Sequence, residues 1–199
     1  MAWYEIEDAE INPRQPIDSE LMNKYRTNLY IGLGSLGTPQ VIPNGSFELA
    51  TGVVPLLWET SLVGDGAATI STGAHGANSF KLSKSAGAAN GAYAYTEDYI
   101  PVSATNITIH AIIWSTGSAA SCVTAVKGGI ALRLYDSTYG LLTTVSTNHS
   151  SWTSAPTTYS MVFNFSTYPA RFMKVGCICG TDSTVAGGLF FDGLYVNNT

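Results

Sequence analysis

The strongest constraint on the fold is a two-residue alternation of apolar and polar side chains that recurs from about residue 40 onward. Every second residue is apolar in two clear examples, residues 107–113 and 159–165, and residues 130–135 also alternate, with Arg133 and Tyr135 on one face. Successive side chains of a β-strand point to opposite faces, so each segment reads as a half-buried strand. Turns rich in Gly, Ser, Thr, Asn and Asp separate these segments. Short strands at this spacing predict an all-β, antiparallel sandwich rather than a parallel α/β sheet.

The first part of the chain has a different composition. Only 12% of all residues are charged, yet nine of the charged residues lie within residues 1–28. Pro13 and Pro16 hold their surroundings extended, since proline fixes φ and restricts the residue before it. We therefore predict two regions: residues 1–38, an extended arm followed by one short α-helix, and residues 39–199, the β-domain.

The predicted helix begins at Asp18, a favourable N-cap. Leu21, Tyr25 and Leu29 recur at helical spacing with Met22 beside them, which gives the helix one apolar face. A helix of about 11 residues is marginal alone in water. We therefore expect it to dock on its own domain, on other copies of the chain or on another protein, as an attachment or oligomerisation helix.

Charge and hydropathy exclude several classes of function. The formal net charge is −5 and there is no cluster of Lys and Arg, so nucleic-acid binding is not expected. No run of about 18 apolar residues exists, and no membrane insertion is expected. The N-terminus lacks the apolar segment of a signal peptide. We therefore expect Cys122, Cys177 and Cys179 to be reduced thiols, with the last two as small buried apolar residues.

A family resemblance is carried by an ordered set of segments. Val-Ile-Pro-Asn-Gly-Ser-Phe-Glu at residues 41–48 precedes Trp58, and Trp152 precedes an aromatic strand at 157–165 and a Phe-Asp strand at 187–196. This order resembles jelly-roll carbohydrate-binding modules, in which residues 41–48 would be the opening strand. The resemblance implies a structural Ca²⁺ held by Glu48 and Asp192 with backbone carbonyls. The alternative is that both are ordinary polar residues at strand ends.

Sugar binding by a sandwich uses aromatic rings against sugar rings, with a few polar groups for orientation. The candidate side chains come from strands or turns that could share the outward face of one sheet. They are Tyr93, Tyr95, Trp114, Arg133, Tyr135 and Tyr139. The alternative is that these aromatics fill the core or an oligomer interface. Trp58 and Trp152 are assigned to the core.

A second resemblance concerns residues 4–28, which look like the attachment segment of tailed-phage virion proteins such as head fibres, tail fibres and decoration proteins. It implies binding to phage capsid or tail proteins through residues 1–30 and location in the virion, with assembly in the host cytoplasm. The alternative is a helix that caps its own domain. The low charge of the β-domain indicates surface covered by other subunits. We expect a homo-oligomer, with a trimer favoured because three N-terminal helices would bury their apolar faces on the axis.

No catalytic motif of the common hydrolases, nucleotide-binding enzymes or zinc proteases occurs. A glycosidase needs two facing carboxylates, and Glu48 and Asp192 are better explained as structural. We therefore expect a non-enzymatic virion structural protein whose jelly-roll domain binds host-surface glycans. The alternatives are a stand-alone polysaccharide-binding module and, less supported, a lyase or hydrolase on the same fold.

Overall fold

A computed structural model describes residues 40–85, 91–102, 106–116, 128–147, 152–180 and 186–198. The predicted arm and helix, including Leu21, Met22, Tyr25 and Leu29, lie outside the described residues, as does Cys122. The described strands are β1 (Gln40–Val41), β2 (Ala50–Thr51), β3 (Val54–Pro55), β4 (Trp58–Val63), β5 (Ala67–Thr72), β6 (Asn78–Lys84), β7 (Gly91–Thr96), β8 (Ile100–Pro101), β9 (Asn106–Thr116), β10 (Gly128–Tyr135), β11 (Leu141–Ser146), β12 (Thr157–Asn164), β13 (Phe172–Cys179) and β14 (Gly187–Asn198). Within these ranges there is no helix, and hence none that could cross a membrane.

The strands form two six-stranded sheets. Sheet I has the order β12-β9-β14-β6-β5, with β1 paired to one end of β14. Sheet II has the order β11-β10-β13-β7-β4, with β8 paired to β13. All these pairs are antiparallel, and β2 and β3 form a separate short pair. The predicted all-β antiparallel sandwich is therefore confirmed.

One hydrophobic core fills the space between the two sheets. Alternate residues of β9 and β12 enter it from sheet I, as their sequence pattern predicts. Sheet II contributes alternate residues of β10 and β13, including Cys177 and Cys179, whose side chains are completely buried. Burial raises the pKa of the Cys177 thiol well above its usual range. Both cysteines pack as small apolar residues, as expected.

Three aromatic rings close one edge of the core. Phe47 comes from the turn after β1, Trp58 from β4 of sheet II and Phe80 from β6 of sheet I. The ring of Phe47 lies 5.1 Å from that of Trp58 and 5.4 Å from that of Phe80, measured between centroids. The indole N–H of Trp58 donates to the carbonyl of Pro43 at 3.0 Å. The core assignments of Trp58 and Trp152 are confirmed, since both are almost fully buried.

The predicted opening strand at residues 41–48 is wrong in extent. Only Gln40–Val41 pair as a strand, and the chain then turns. Asn44 and Phe47 adopt positive φ angles of 47° and 57°, which a strand does not allow. The amide of Asn44 explains the turn, because its Nδ2 donates to the carbonyl of Leu49 at 2.6 Å while its Oδ1 accepts from the Leu49 amide at 3.1 Å.

Candidate functional site

The outward face of sheet II gathers aromatic and charged side chains from its three central strands. Residues directly opposite one another on antiparallel strands point to the same face. The register sets Tyr95 of β7 beside Gly176 of β13, and it sets Arg133 and Tyr135 of β10 opposite Lys174 and Phe172 of β13. Residues 136–140, after β10, add Tyr139 to this face.

Five of the six predicted glycan contacts lie on this side of the domain: Tyr93, Tyr95, Arg133, Tyr135 and Tyr139. Trp114 does not, because β9 belongs to sheet I. Its ring stacks on Phe190 of β14 with centroids 4.8 Å apart and planes 4° from parallel. The expectation that all six share one face is therefore wrong for Trp114. Alternation gives the side of a strand on which a residue lies, but it does not reveal which sheet the strand joins.

Four aromatic rings cluster at one end of the face, and we call them the aromatic end: Tyr99, Tyr135, Tyr139 and Phe172. Tyr139 stacks on Phe172 with centroids 4.7 Å apart and contacts Tyr99 at the same distance. Tyr99 meets Tyr135 edge to face at 4.8 Å. Tyr135 is buried, whereas Tyr139 is 47% exposed. The ring of Tyr139 is therefore partly exposed to solvent, while Phe172 and Tyr99 pack against it.

The turn that carries Tyr139 is held by its own hydrogen bonds. Oδ1 of Asp136 accepts from the amides of Thr138 at 2.7 Å and Gly140 at 2.9 Å, and also from the Thr138 hydroxyl at 2.7 Å. These bonds to the charged form lower the pKa of Asp136, with the Thr138 hydroxyl as the largest contributor. The turn therefore presents Tyr139 on a fixed support.

Arg133 lies at the centre of the face, directly above a tyrosine ring. Its guanidinium carbon is 3.8 Å from the ring centroid of Tyr95, a cation–π contact. Tyr95 is only 6% exposed, so its ring supports Arg133 rather than offering a free platform. Burial raises the pKa values of Tyr95 and Tyr135, and the nearby charge of Arg133 lowers both in part.

Gly176 allows Tyr95 to lie flat on the sheet. A Cβ atom built on Gly176 would overlap the Tyr95 ring, at 2.5 Å from Cδ1 and 3.0 Å from Cζ. The glycine therefore leaves the space that the ring occupies. Gly176, Tyr95 and Arg133 form a stack in which each layer depends on the one beneath it.

Lys174 is the second cation of the face. Its Nζ lies 4.9 Å from the ring centroid of Tyr99 and 3.7 Å from Oε1 of Glu59 on β4. The side chain of Lys174 is mostly buried, whereas that of Glu59 is 60% exposed. The Lys174 stem thus packs along the sheet while its ammonium group reaches the edge of the aromatic end.

Sequence reasoning missed four members of this face: Glu59, Tyr99, Phe172 and Lys174. One signal was available for β13, where Phe172 and Lys174 occupy the parity opposite to that of the core residues Met173 and Val175. Glu59 gave no such signal, because its strand, β4, was not among the strands predicted.

The two predicted metal ligands lie on either side of the β5–β6 loop. The amides of Ala77 and Asn78 donate to the carboxylate of Glu48 at 3.2 and 3.1 Å. Those of Ala74 and His75 donate to Oδ2 of Asp192 at 2.9 and 2.7 Å. The two carboxylates therefore anchor one loop to the turn after β1 and to β14.

One atom of this arrangement fits a cation. Oδ1 of Asp192 is buried and accepts no hydrogen bond from the described residues, which is unusual for a carboxylate oxygen. Burial raises the pKa of Asp192, although nearby main-chain amides counteract part of this effect. The described residues contain no group of three or more Asp, Glu, His or Cys side chains that could hold a metal. A cation here would need main-chain carbonyls or water for its remaining ligands.

The described residues contain one pair that resembles catalytic machinery. The Ser160 hydroxyl lies 2.8 Å from Nδ1 of His110 on the outward face of sheet I. His110 also stacks on Tyr195 with centroids 4.6 Å apart. In a hydrolase triad a carboxylate orients the imidazole. No carboxylate of the described residues contacts His110. This pair therefore gives no support for hydrolysis.

No protein-family model matches this sequence, and no curated protein matches it. Solved structures do match by fold. The CBM22-1 xylan-binding domain of Paenibacillus barcinonensis Xyn10C is 12% identical with a TM-score of 0.50, covering 77% of this chain and 90% of that one. The family 11 carbohydrate-binding module of the cellulosomal cellulase Lic26A-Cel5E of Clostridium thermocellum is 9% identical with a TM-score of 0.51, covering 78% and 92%.

A third similar structure is the enzymatically active domain of bacteriophage CBA120 tailspike protein 4. It is 14% identical with a TM-score of 0.52 over 78% of this chain, and the match spans 21% of that chain. At such identities the likeness concerns fold alone. The domain thus has the jelly-roll sandwich fold seen in carbohydrate-binding modules.

Proposed function

We propose that this protein binds glycans through the outward face of sheet II, without catalysing a reaction on them. The observation that carries the proposal is the aromatic end, where the exposed ring of Tyr139 rests on Phe172 and Tyr99. A sugar ring presents C–H groups that pack well on an aromatic face, while its hydroxyl groups need polar partners at the margin. Arg133, Lys174 and Glu59 supply such partners beside the aromatic end.

A polysaccharide-binding screen tests this proposal with two matched variants. Tyr139→Ala removes the exposed ring of the aromatic end, and Trp114→Ala removes a ring on the opposite sheet. Single aromatic anchors of this kind often contribute about 2 kcal/mol to binding. We expect Tyr139→Ala to weaken binding more than tenfold and Trp114→Ala to leave it unchanged. The reverse result would assign binding to sheet I, and absence of binding to every glycan in the screen would overturn the proposal.

For the biological setting, we propose a virion structural protein of a tailed phage. It would be attached to capsid or tail through residues 1–30 and would display the β-domain to host-surface glycans. Support comes from the resemblance of residues 4–28 to phage attachment segments and from the fold likeness to a phage tailspike domain. Deletion of residues 1–30 should abolish incorporation into particles while leaving glycan binding intact. A stand-alone polysaccharide-binding module would retain all its activity after this deletion and would not copurify with particles.

The same proposal includes a homo-oligomer, with a trimer favoured. Leu21, Met22, Tyr25 and Leu29 supply an apolar stripe that three helices would bury together. Light scattering on the intact chain and on a chain lacking residues 1–30 tests it. We expect a trimeric mass for the first and a monomeric mass for the second. A monomeric intact chain would contradict the proposal.

We also propose that a structural Ca²⁺ binds at Asp192 and Glu48, supported by Oδ1 of Asp192, which is buried and accepts no hydrogen bond from any residue that the structure describes. These two carboxylates would ligate the ion, which would stabilise the β5–β6 loop against β14 and take no part in glycan chemistry. A ligand that binds only the folded state raises the melting temperature. We expect Ca²⁺ to raise it for the wild type and not for Asp192→Asn. Equal melting temperatures in Ca²⁺ and in chelator would refute the site.

A further inference from the structure

The centre of the sheet II face carries two cations directly opposite each other. Arg133 of β10 and Lys174 of β13 are cross-strand partners, and their positions on the outward face follow from their rings beneath, Tyr95 and Tyr99. Like charges placed opposite each other on one face of a sheet are destabilising. The β-domain, residues 39–199, contains few other basic residues.

The carboxylates of the described residues compensate only one of these two charges. Glu59 lies 3.7 Å from the ammonium group of Lys174. Within the described ranges, no carboxylate forms an ion pair with Arg133. Asp136, the first residue of the Tyr139 turn, is already engaged by the amides of Thr138 and Gly140. The centre of the face therefore holds a net positive charge on a protein whose overall net charge is −5.

Arg133 is also held in one orientation. The Tyr95 ring lies beneath the guanidinium at 3.8 Å, in the space that the absence of a side chain at Gly176 leaves on the sheet. A guanidinium has five N–H donors in one plane. The hydroxyl groups of Tyr95 and Tyr135 are hydrogen-bond partners of Arg133, and its remaining donors match the two oxygens of a carboxylate. The preorganised group lies beside the aromatic end, where a sugar ring would rest under the proposed function.

From this arrangement we infer that the glycan recognised by sheet II contains acidic sugars, whose carboxylate pairs with Arg133 while a neighbouring sugar ring packs on Tyr139. This inference rests on the proposed function and specifies the chemical class of its ligand. Neutral hydroxyl groups would leave the charge of Arg133 uncompensated in the complex. A carboxylate offsets it and also relieves the repulsion between Arg133 and Lys174.

Isothermal titration calorimetry on the full chain tests the inference with defined polymers. The acidic probes are polygalacturonate, alginate, hyaluronan and polysialic acid, and the neutral probes are xylan, mixed-linkage β-glucan and β-1,4-galactan. Poly-glutamate serves as a carboxylate polymer without sugar. We expect binding to at least one acidic glycan, loss of more than tenfold in affinity when its carboxyl groups are reduced to alcohols, and no comparable binding to poly-glutamate.

Two variants that each remove one positive charge show whether Arg133 is responsible for binding of the acidic glycan. Arg133→Gln removes the cation above Tyr95. Lys81→Gln removes a cation placed similarly on the opposite sheet, where Nζ lies 5.3 Å from the ring centroid of Phe190. We expect Arg133→Gln to weaken binding of the acidic glycan more than tenfold and Lys81→Gln to change it less than twofold. Arg133→Lys should fall between, because an ammonium keeps the charge and loses the two-pronged geometry.

The outcomes separate this inference from the proposed function. Binding to neutral polymers only, or equal affinity for an acidic polymer before and after carboxyl reduction, would overturn the acidic ligand and leave glycan binding intact. Equal effects of Arg133→Gln and Lys81→Gln, or comparable binding of poly-glutamate, would reduce the interaction to overall charge and also overturn it. Binding to no polymer of either group would overturn the proposed function together with the inference.

Discussion

Gly176→Ala is the smallest change that should disturb the sheet II face without touching the core. The added methyl group would lie 2.5 Å from Cδ1 of Tyr95, so the ring must move by roughly 1 Å to regain ordinary carbon–carbon contact. Overpacking of this kind costs about 1–3 kcal/mol, and replacing a strand glycine by alanine returns about 0.5–1 kcal/mol. We expect a net loss of about 1–2 kcal/mol in the free energy of unfolding.

The same displacement should weaken glycan binding as well as stability. Arg133 rests on the Tyr95 ring, so a shifted ring moves the guanidinium away from its position beside the aromatic end. We expect glycan affinity to fall at least tenfold, which corresponds to about 1.4 kcal/mol. Urea denaturation gives the stability change, and titration calorimetry with the glycan found by screening gives the affinity.

A double-mutant cycle shows whether the Tyr95 ring is the cause. Tyr95→Leu leaves a shorter side chain that can avoid the added methyl group. In the Tyr95→Leu background, Gly176→Ala should therefore cost nothing or be slightly stabilising. If Gly176→Ala destabilises the protein equally in both backgrounds, or if it changes neither stability nor affinity in the wild type, the stacking of Gly176, Tyr95 and Arg133 is not what positions the face.

Three further predictions concern stability. Phe47→Ala should lower the free energy of unfolding by about 3–5 kcal/mol, because the buried ring fills the space between Trp58 and Phe80. Urea denaturation measures this loss. A loss below about 1 kcal/mol would show that this edge of the core repacks. Val162→Ala, at a side chain 67% exposed, should change stability by less than about 0.5 kcal/mol in the same assay. In chelator, the raised pKa of Asp192 means that the folded state binds its proton more tightly than the unfolded chain does. The contribution of Asp192 to stability is therefore fully present below about pH 4 and is lost as the pH rises through the raised pKa. Melting curves from pH 3.5 to 7.5 should show this decline for the wild type relative to Asp192→Asn, and parallel pH profiles would contradict it.

The alternation along β9, β10 and β12 was enough to predict which of their side chains enter the core. This works because a strand has a fixed two-residue period, whatever its neighbours are. It also gave the shared parity of Arg133 and Tyr135. The assignment of Trp58 and Trp152 to the core was made separately and is also correct. The turn at residues 41–48 was mistaken for a strand, because the hydrogen bonds of Asn44 that bend the chain there depend on its partner Leu49.

The assignment of strands to sheets required the tertiary structure. Trp114 and Tyr135 have equivalent outward positions in their own strands, yet β9 joins sheet I and β10 joins sheet II, so their rings lie on opposite sides of the domain. The pairing of Arg133 with Lys174 and the space that Gly176 leaves for Tyr95 arise in the same way, from contacts between strands distant in sequence. The sequence by itself determined an antiparallel sandwich and most of its core, because those follow from local periodicity. The meeting of Arg133 with Lys174 and the formation of the aromatic end were decided by the register of β7, β10 and β13. That register depends on pairing energies between strands distant in sequence, and no local sequence pattern records these energies.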